Sequence, residues 1–227
     1  MSLTGTEGNN LTGENNFVRG TGDDCIAINS VNYNGSQMYT PMANIQLLNN
    51  TSVGPWGGKG VAIYGGGGHL VKNNYVHDTV RYIGLGIGKF GVNGSDLTSG
   101  TVTGNLVVRG GGNYGNPQVQ QQPAMHIGNG GDGQGVGNVG GVTVSNNTIR
   151  DSLYDAVGFS TSNNITFENN VIDSPGYNGI VISPPFYPAP TGSASLTGNM
   201  VSGVPSGDMP FINMSSGYTV MLSGNNF

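Results

Sequence analysis

Two adjacent carboxylates give the sharpest chemical signal in this sequence. Asp23 and Asp24 stand in the run GTGDDCIAIN, directly ahead of a short stretch in which apolar and small residues alternate. Only 12 of the 227 residues are acidic, so a neighbouring pair stands out. Like charges held side by side raise the pKa of one partner, which is how a carboxylic acid stays protonated and able to donate a proton. The plain alternative is an aspartate-rich turn that caps a strand. Residue types alone leave both readings open.

Other groups able to take part are few. The three histidines are scattered, and one cysteine, Cys25, is present, so no cluster suggests a metal and no cofactor is expected. Net charge is −5 with no basic cluster, which argues against nucleic acid and against an anionic membrane surface. No apolar run is long enough to span a bilayer. Met1–Leu3 lead straight into polar, glycine-rich sequence and are read as vector-derived. An exported protein is expected, with its signal lying upstream. Charged residues make up only 8 %, while Val, Ile and Thr recur in alternating runs, so a folded β protein fits better than a disordered chain.

The elements that must position the aspartates follow from an internal repeat. An asparagine turn followed by an apolar doublet recurs with anchors at Asn16, Asn50, Asn74, Asn105, Asn147, Asn170, Asn199 and Asn226. The spacings are 34, 24, 31, 42, 23, 29 and 27 residues. The shortest holds three strands of about four residues and three tight turns, and the excess is loop insertion. The fold predicted is all-β, a right-handed parallel β-helix of about eight coils with three short strands per coil. Residues 1–10 are read as a partial coil and 11–227 as the β-helix domain. The first anchor lies close to residue 1 with no cap before it, so the solenoid is read as truncated at its N-terminus. The asparagines are read as scaffold, since they accept left-handed turns and their amides stack between coils.

The third strand of each coil carries the candidate site. Aligning CIAIN, GVAIY, GLGIG, AMHIG, AVGFS and GIVIS sets Ile26/Ile28, Val61/Ile63, Leu85/Ile87, Met125/Ile127, Val157/Phe159 and Ile180/Ile182 facing inward. Ala27, Ala62, Gly86, His126, Gly158 and Val181 then face outward as a shallow groove floor. Insertions at 29–42, 89–100, 109–122, 129–140 and 184–192 would wall it. Coils repeat every ~4.8 Å, near the rise of one sugar in an extended glycan. His126 is the one histidine on that floor, and His69 and His77 fall on other faces. Trp56, Tyr64, Tyr82 and Tyr154 flank third strands with rings suited to sugar stacking. Lys59 and Asp155 take the position that Asp24 takes in its own coil, two residues before the strand. These seven are the candidate substrate contacts, with Asp23 and Asp24 as the catalytic pair.

The longer motifs resemble a known family. NNFVRGTGDDCIAI (15–28), GVAIYGG (60–66), VKNNYVHDTVRYIGLGIG (71–88) and VSNNTIRDSLYDAVGF (144–159) are similar to the bacterial α-1,3-glucanases and mycodextranases of glycoside hydrolase family 87, within the pectate-lyase-like β-helix superfamily. That resemblance implies a secreted bacterial enzyme that hydrolyses an α-glucan with inversion, using the aspartate pair and a third aspartate one coil earlier. No aspartate precedes Asp23 here, and Glu7 and Glu14 sit at the wrong offset, so hydrolysis by these residues alone is expected to be impaired. The expected partner is a polysaccharide or oligosaccharide, and a monomer is expected. Alternatives are a polysaccharide lyase or epimerase, which would need cations to neutralise a uronate and finds only seven Lys and Arg here, or a non-catalytic glycan-binding solenoid.

Overall fold

The computed structural model describes residues 1–5, 8–31, 40–91, 93–115, 119–129, 138–182 and 190–227. Glu7 and parts of the five insertions, residues 32–39, 92, 116–118, 130–137 and 184–189, lie outside the described residues. Alternating short strands with glycine and asparagine turns cannot close a core within one coil. Each coil therefore stacks on the next, and three parallel sheets result, two of eight strands and one of seven. The chain is a right-handed parallel β-helix, the hand that parallel crossovers take. No helix occurs among the described residues, and so none is long and apolar enough to cross a membrane.

One coil visits the sheets in a fixed order: Gln46–Leu48 in the first, Thr51–Val53 in the second and Val61–Tyr64 in the third. In the third sheet Ile26, Val61, Leu85, Met125, Val157 and Ile180 stand in one register row. Ile28, Ile63, Ile87, Ile127, Phe159 and Ile182 form the next inward row, and all twelve are in the buried core. The period-two pattern set this register, because a slip of one residue would expose both rows. The sequence pattern missed two strands of this sheet, Ser2–Gly5 and Phe211–Asn213. It also missed an antiparallel hairpin that pairs Gly112–Gly115 with Val119–Gln122 inside the expected 109–122 wall.

The recurrent asparagine pair divides two tasks between its members. The first residue is left-handed, as at Asn15, Asn49, Asn73, Asn146 and Asn169, with φ from 53° to 56°. The second turns inward and bonds to its counterpart one coil on. The ladder runs Asn16, Asn50, Asn74, Asn105, Asn147, Asn170, Asn199 and Asn225, with side-chain amide to amide-oxygen distances of 2.9–3.1 Å. The last anchor is thus Asn225, a correction to Asn226. In GNNF the left-handed residue is Gly224 (φ 61°), which moves the inward position forward by one.

Candidate active site

The aspartate pair sits in the loop that leads into strand Ile26–Ser30, and the next coil fits tightly beneath it. A side chain at Gly58 would place its Cβ 2.2 Å from the Asp24 nitrogen, so only glycine lets the two loops touch. That contact holds Asp24 against the following strand entrance. Its Oδ1 accepts a hydrogen bond from the Lys59 backbone N–H at 2.6 Å. Its Oδ2 accepts from the Tyr64 hydroxyl at 2.9 Å. Tyr64 Oη in turn accepts from Lys59 Nζ at 2.6 Å, with the ammonium 4.5 Å from the Tyr64 ring centre. Asp23 is exposed, and its Oδ1 accepts from the Asp24 N–H at 2.8 Å.

Burial pushes the Asp24 carboxyl above the ordinary aspartate range. The Lys59 charge and the bonds from Lys59 N–H and Tyr64 partly offset that rise, and the neighbouring Asp23 charge adds to it. Asp24 is therefore a carboxyl whose proton is held longer than usual yet whose charged form has donors waiting. Both aspartates face a cavity of about 210 Å³ that Asn29, Lys59, Tyr64, Tyr82 and Phe90 help to line. A carboxyl with a raised pKa beside an exposed carboxylate, in a cleft large enough for one sugar residue, can exchange protons with a bound hydroxyl or glycosidic oxygen.

The structure corrects the groove floor. Ala27, Ala62, Val181 and His126 do face away from the core rows, but they are buried. The Lys59 stem lies across the floor over Gly86, where an added Cβ would stand 2.8 Å from Lys59 Cδ. Only about 10 Å³ is left between Lys59, Tyr64, Gly86 and His126, too little to admit a ligand. His126 is 2 % exposed, and its pKa is pushed down to about 3, by burial first and by the Lys59 charge second.

No protein-family model matches the chain, and no curated protein is significantly similar to it in sequence. Solved structures match it in fold. At 25 % identity and a TM-score of 0.75, 96 % of the chain superposes on the catalytic domain of a family 87 α-1,3-glucanase, an aspartate-to-alanine variant in complex with tetrasaccharides. All of the chain matches the catalytic unit of a thermostable family 87 α-1,3-glucanase from Streptomyces thermodiastaticus, at 22 % identity and a TM-score of 0.70. The A-module of a mannuronan C-5 epimerase from Azotobacter vinelandii matches 96 % of it at 12 % identity and a TM-score of 0.64. The fold is that of the family 87 catalytic domains. The chain covers 42 %, 46 % and 53 % of these three proteins, respectively.

On this fold the candidate residues separate into groups. Asp23, Asp24, Lys59, Tyr64 and Tyr82 converge on one cavity. Trp56, 57 % exposed, stands on its rim with its ring over Gly22. Tyr82 is braced by the hairpin, its ring 4.7 Å from that of Tyr114. Tyr154 and Asp155 lie four strands further along the third sheet, about 19 Å away at the ordinary strand spacing. Lys59, Tyr64, His126 and Asp155 are all buried. Asp155 Oδ1 accepts from both the backbone and the side-chain amide of Asn178, and burial raises its pKa. Sequence reasoning missed Asn29 and Phe90. Asn29 is signalled only by alternation with Ala27. Phe90, 41 % exposed with its ring 5.4 Å from that of Tyr64, had no local signal.

The acid candidates outside the pair are placed elsewhere. Glu14 is exposed on the first sheet, in register with Leu48 and Lys72, and so faces away from the aspartates. Asp78, within the specific DTVRYIG run, belongs to the turn after the second sheet. It accepts from Arg109 Nε at 2.6 Å, and that bond holds its pKa down at about 2.

Proposed function

We propose that the chain is part of a glycoside hydrolase that cleaves a neutral α-glucan, an α-1,3-linked one by likeness to the glucanases. The observation that carries this is the half-buried, donor-bonded Asp24 beside exposed Asp23 at the mouth of a sugar-sized cavity. In this reading Asp24 is the general acid. It protonates the glycosidic oxygen as the bond to the anomeric carbon breaks, while a carboxylate on the other face takes a proton from the attacking water. Inversion requires those two carboxyls to stand ~6.5–9.5 Å apart. The resemblance implies a third aspartate one coil ahead of the pair.

The experiment is reducing-sugar release from α-1,3-glucan, with the product anomer followed by NMR. Asp23→Asn and Asp24→Asn each lower the rate by roughly 10²–10⁴-fold. A product formed with retained configuration sinks the mechanism. The likeness to the epimerase, together with Lys59 in the cleft, supports a second reading, action on a uronate-containing glycan. An unsaturated, ultraviolet-absorbing product or a C-5 epimer from such a glycan would establish it instead.

A further inference from the structure

We propose that Tyr154 and Tyr177 form a distal platform for a glucan chain that is also held at the aspartate pair. The protein then favours chains of about five units or more over short oligosaccharides. The inference rests on the reading of the Asp23–Asp24 cavity as a sugar site. Asp23, Tyr82, Tyr154 and Tyr177 each stand three places before a third-sheet strand. The register of that sheet puts this position in one row along the solenoid. Asp23 opens the row, Tyr82 follows two coils on, and Tyr154 and Tyr177 occupy it in two adjacent coils further along. At the strand spacing of ~4.8 Å, Tyr154 is about 19 Å and Tyr177 about 24 Å from Asp23.

The loops of those two coils bring the rings together. The Tyr154 carbonyl accepts from the N–H groups of Gly176 and Tyr177, at 3.1 and 3.3 Å, and from the Ser152 hydroxyl at 2.7 Å. A Cβ at Gly176 would stand 2.5 Å from the Leu153 carbonyl oxygen, so only glycine lets one loop lie on the other. The ring centres end 5.7 Å apart with their planes at 49°. Tyr177 is 40 % exposed, and Leu153 beside the pair is 47 % exposed. Neither tyrosine belongs to the core, unlike Tyr218, which is buried with its hydroxyl bonded to Ser162. Packing of the fold does not account for the pair.

A tilted pair of rings offers faces to the C–H side of a pyranose and hydroxyl edges to its O–H groups. In the coil between Tyr82 and Tyr154, Gln122 takes the row position at the end of the hairpin whose Tyr114 braces Tyr82. The pair is thus a separate contact and not an extension of the cavity wall. Coils and sugar units repeat at similar intervals, so one extended chain can reach both places. Once one unit is held at the cavity, the contact at the rings is intramolecular and adds affinity without ordering a second molecule.

The test is calorimetry of the 227-residue chain with α-1,3-linked oligosaccharides of two to eight units. Affinity rises about tenfold between roughly four and six units, the worth of one ring contact. Tyr177→Ala removes that rise and leaves disaccharide affinity at the wild-type value. Tyr177→Trp, which keeps a stacking ring, retains the rise. Tyr154→Ala matches Tyr177→Ala, and the more exposed Tyr177 keeps the test available if Tyr154→Ala does not fold. An affinity that does not change with length in the wild type overturns the proposal, and so does a rise that survives Tyr177→Ala. A lower mass in solution for Tyr177→Ala, with the length dependence intact, would make the pair a contact between copies and overturn it too. A disaccharide that binds without the rise refutes the platform alone. A disaccharide that does not bind refutes the cavity reading on which the platform rests.

Discussion

Asp155 accepts hydrogen bonds from both the backbone N–H and the side-chain amide of Asn178, at 3.0 and 2.9 Å. The two residues hold the same position in successive coils, two places before a third-sheet strand. Asn178 repeats the contact onward, its Oδ1 accepting from the Met209 N–H at 2.9 Å. Asp24 makes the equivalent bond to Lys59. The position is thus a clamp between coils first, and Asp24 differs in accepting the Tyr64 hydroxyl at its second oxygen and in lining a cavity. Asp155→Ala leaves the Asn178 N–H without its partner and destabilises the chain by about 1–3 kcal/mol. Denaturant unfolding measures the loss. Oligosaccharide affinity at the Asp24 cavity, read by calorimetry, stays at the wild-type value.

The asparagine ladder predicts a gradient of cost along the solenoid. Asn147 accepts from the Asn105 backbone and side chain, and it donates to Val102 O and Asn170 Oδ1, all in the interior. Asn147→Ala strands several buried groups at once and lowers stability by about 3 kcal/mol or more. Asn225 stands at the last rung and is only partly buried. Asn225→Ala therefore costs about 1 kcal/mol. Equal losses for the two variants would contradict the ladder as the source of stability.

His126 makes stability depend on acid. The unfolded chain takes up a proton on this ring as pH falls through about 6.5, whereas the folded chain does so only near pH 3. Stability present above pH 6.5 is consequently lost as pH falls between those values, with a ceiling of roughly 5 kcal/mol from this group. His69, also lowered by burial, acts in the same direction. The experiment compares urea midpoints at pH 7 and pH 4. His126→Gln, which cannot protonate, loses less than wild type between them, and an equal loss would show that His126 is not the sensor.

Legibility in the sequence followed the range over which each feature is determined. The inward rows from Ile26 to Ile182 were readable because strand alternation is a two-residue property. The last ladder position was not, since GNNF offers two asparagines and only the left-handed Gly224 decides between them. Asp23 and Asp24 were visible as a pair, but what surrounds them was not. Lys59 and Tyr64 lie 35 and 40 residues from Asp24 and reach it only through coil stacking. Exposure was the least readable quantity. Outward direction was right for His126, yet Lys59 reaching across Gly86 helps fill the space above the floor there. The small residues at Gly58 and Gly86 were the available signal, because they mark where another chain segment must come close.

The exposed rings at the cavity should carry what affinity the chain has for glycans. Trp56 is 57 % exposed over Gly22, beside Asp23, and Phe90 is 41 % exposed on the opposite flank, against Tyr64. Neither belongs to the core cluster, so burial in the fold does not account for them. A pyranose presents one face of C–H groups, which loses water on contact with a ring, while its hydroxyls exchange water for protein at small net gain. Binding of short α-glucan oligosaccharides is accordingly weak, with Kd in the range of about 1 μM to 1 mM. Trp56→Ala and Phe90→Ala each weaken it by about tenfold, the effect of losing about 1.4 kcal/mol of ring contact. Tyr154→Ala, some four coils away, changes nothing for a disaccharide and matters only for chains long enough to span that distance. Calorimetry with oligosaccharides of increasing length separates these cases. If Tyr154→Ala weakens disaccharide binding while Trp56→Ala does not, the sugar sits further along the third sheet and the Asp24 cavity is not its site.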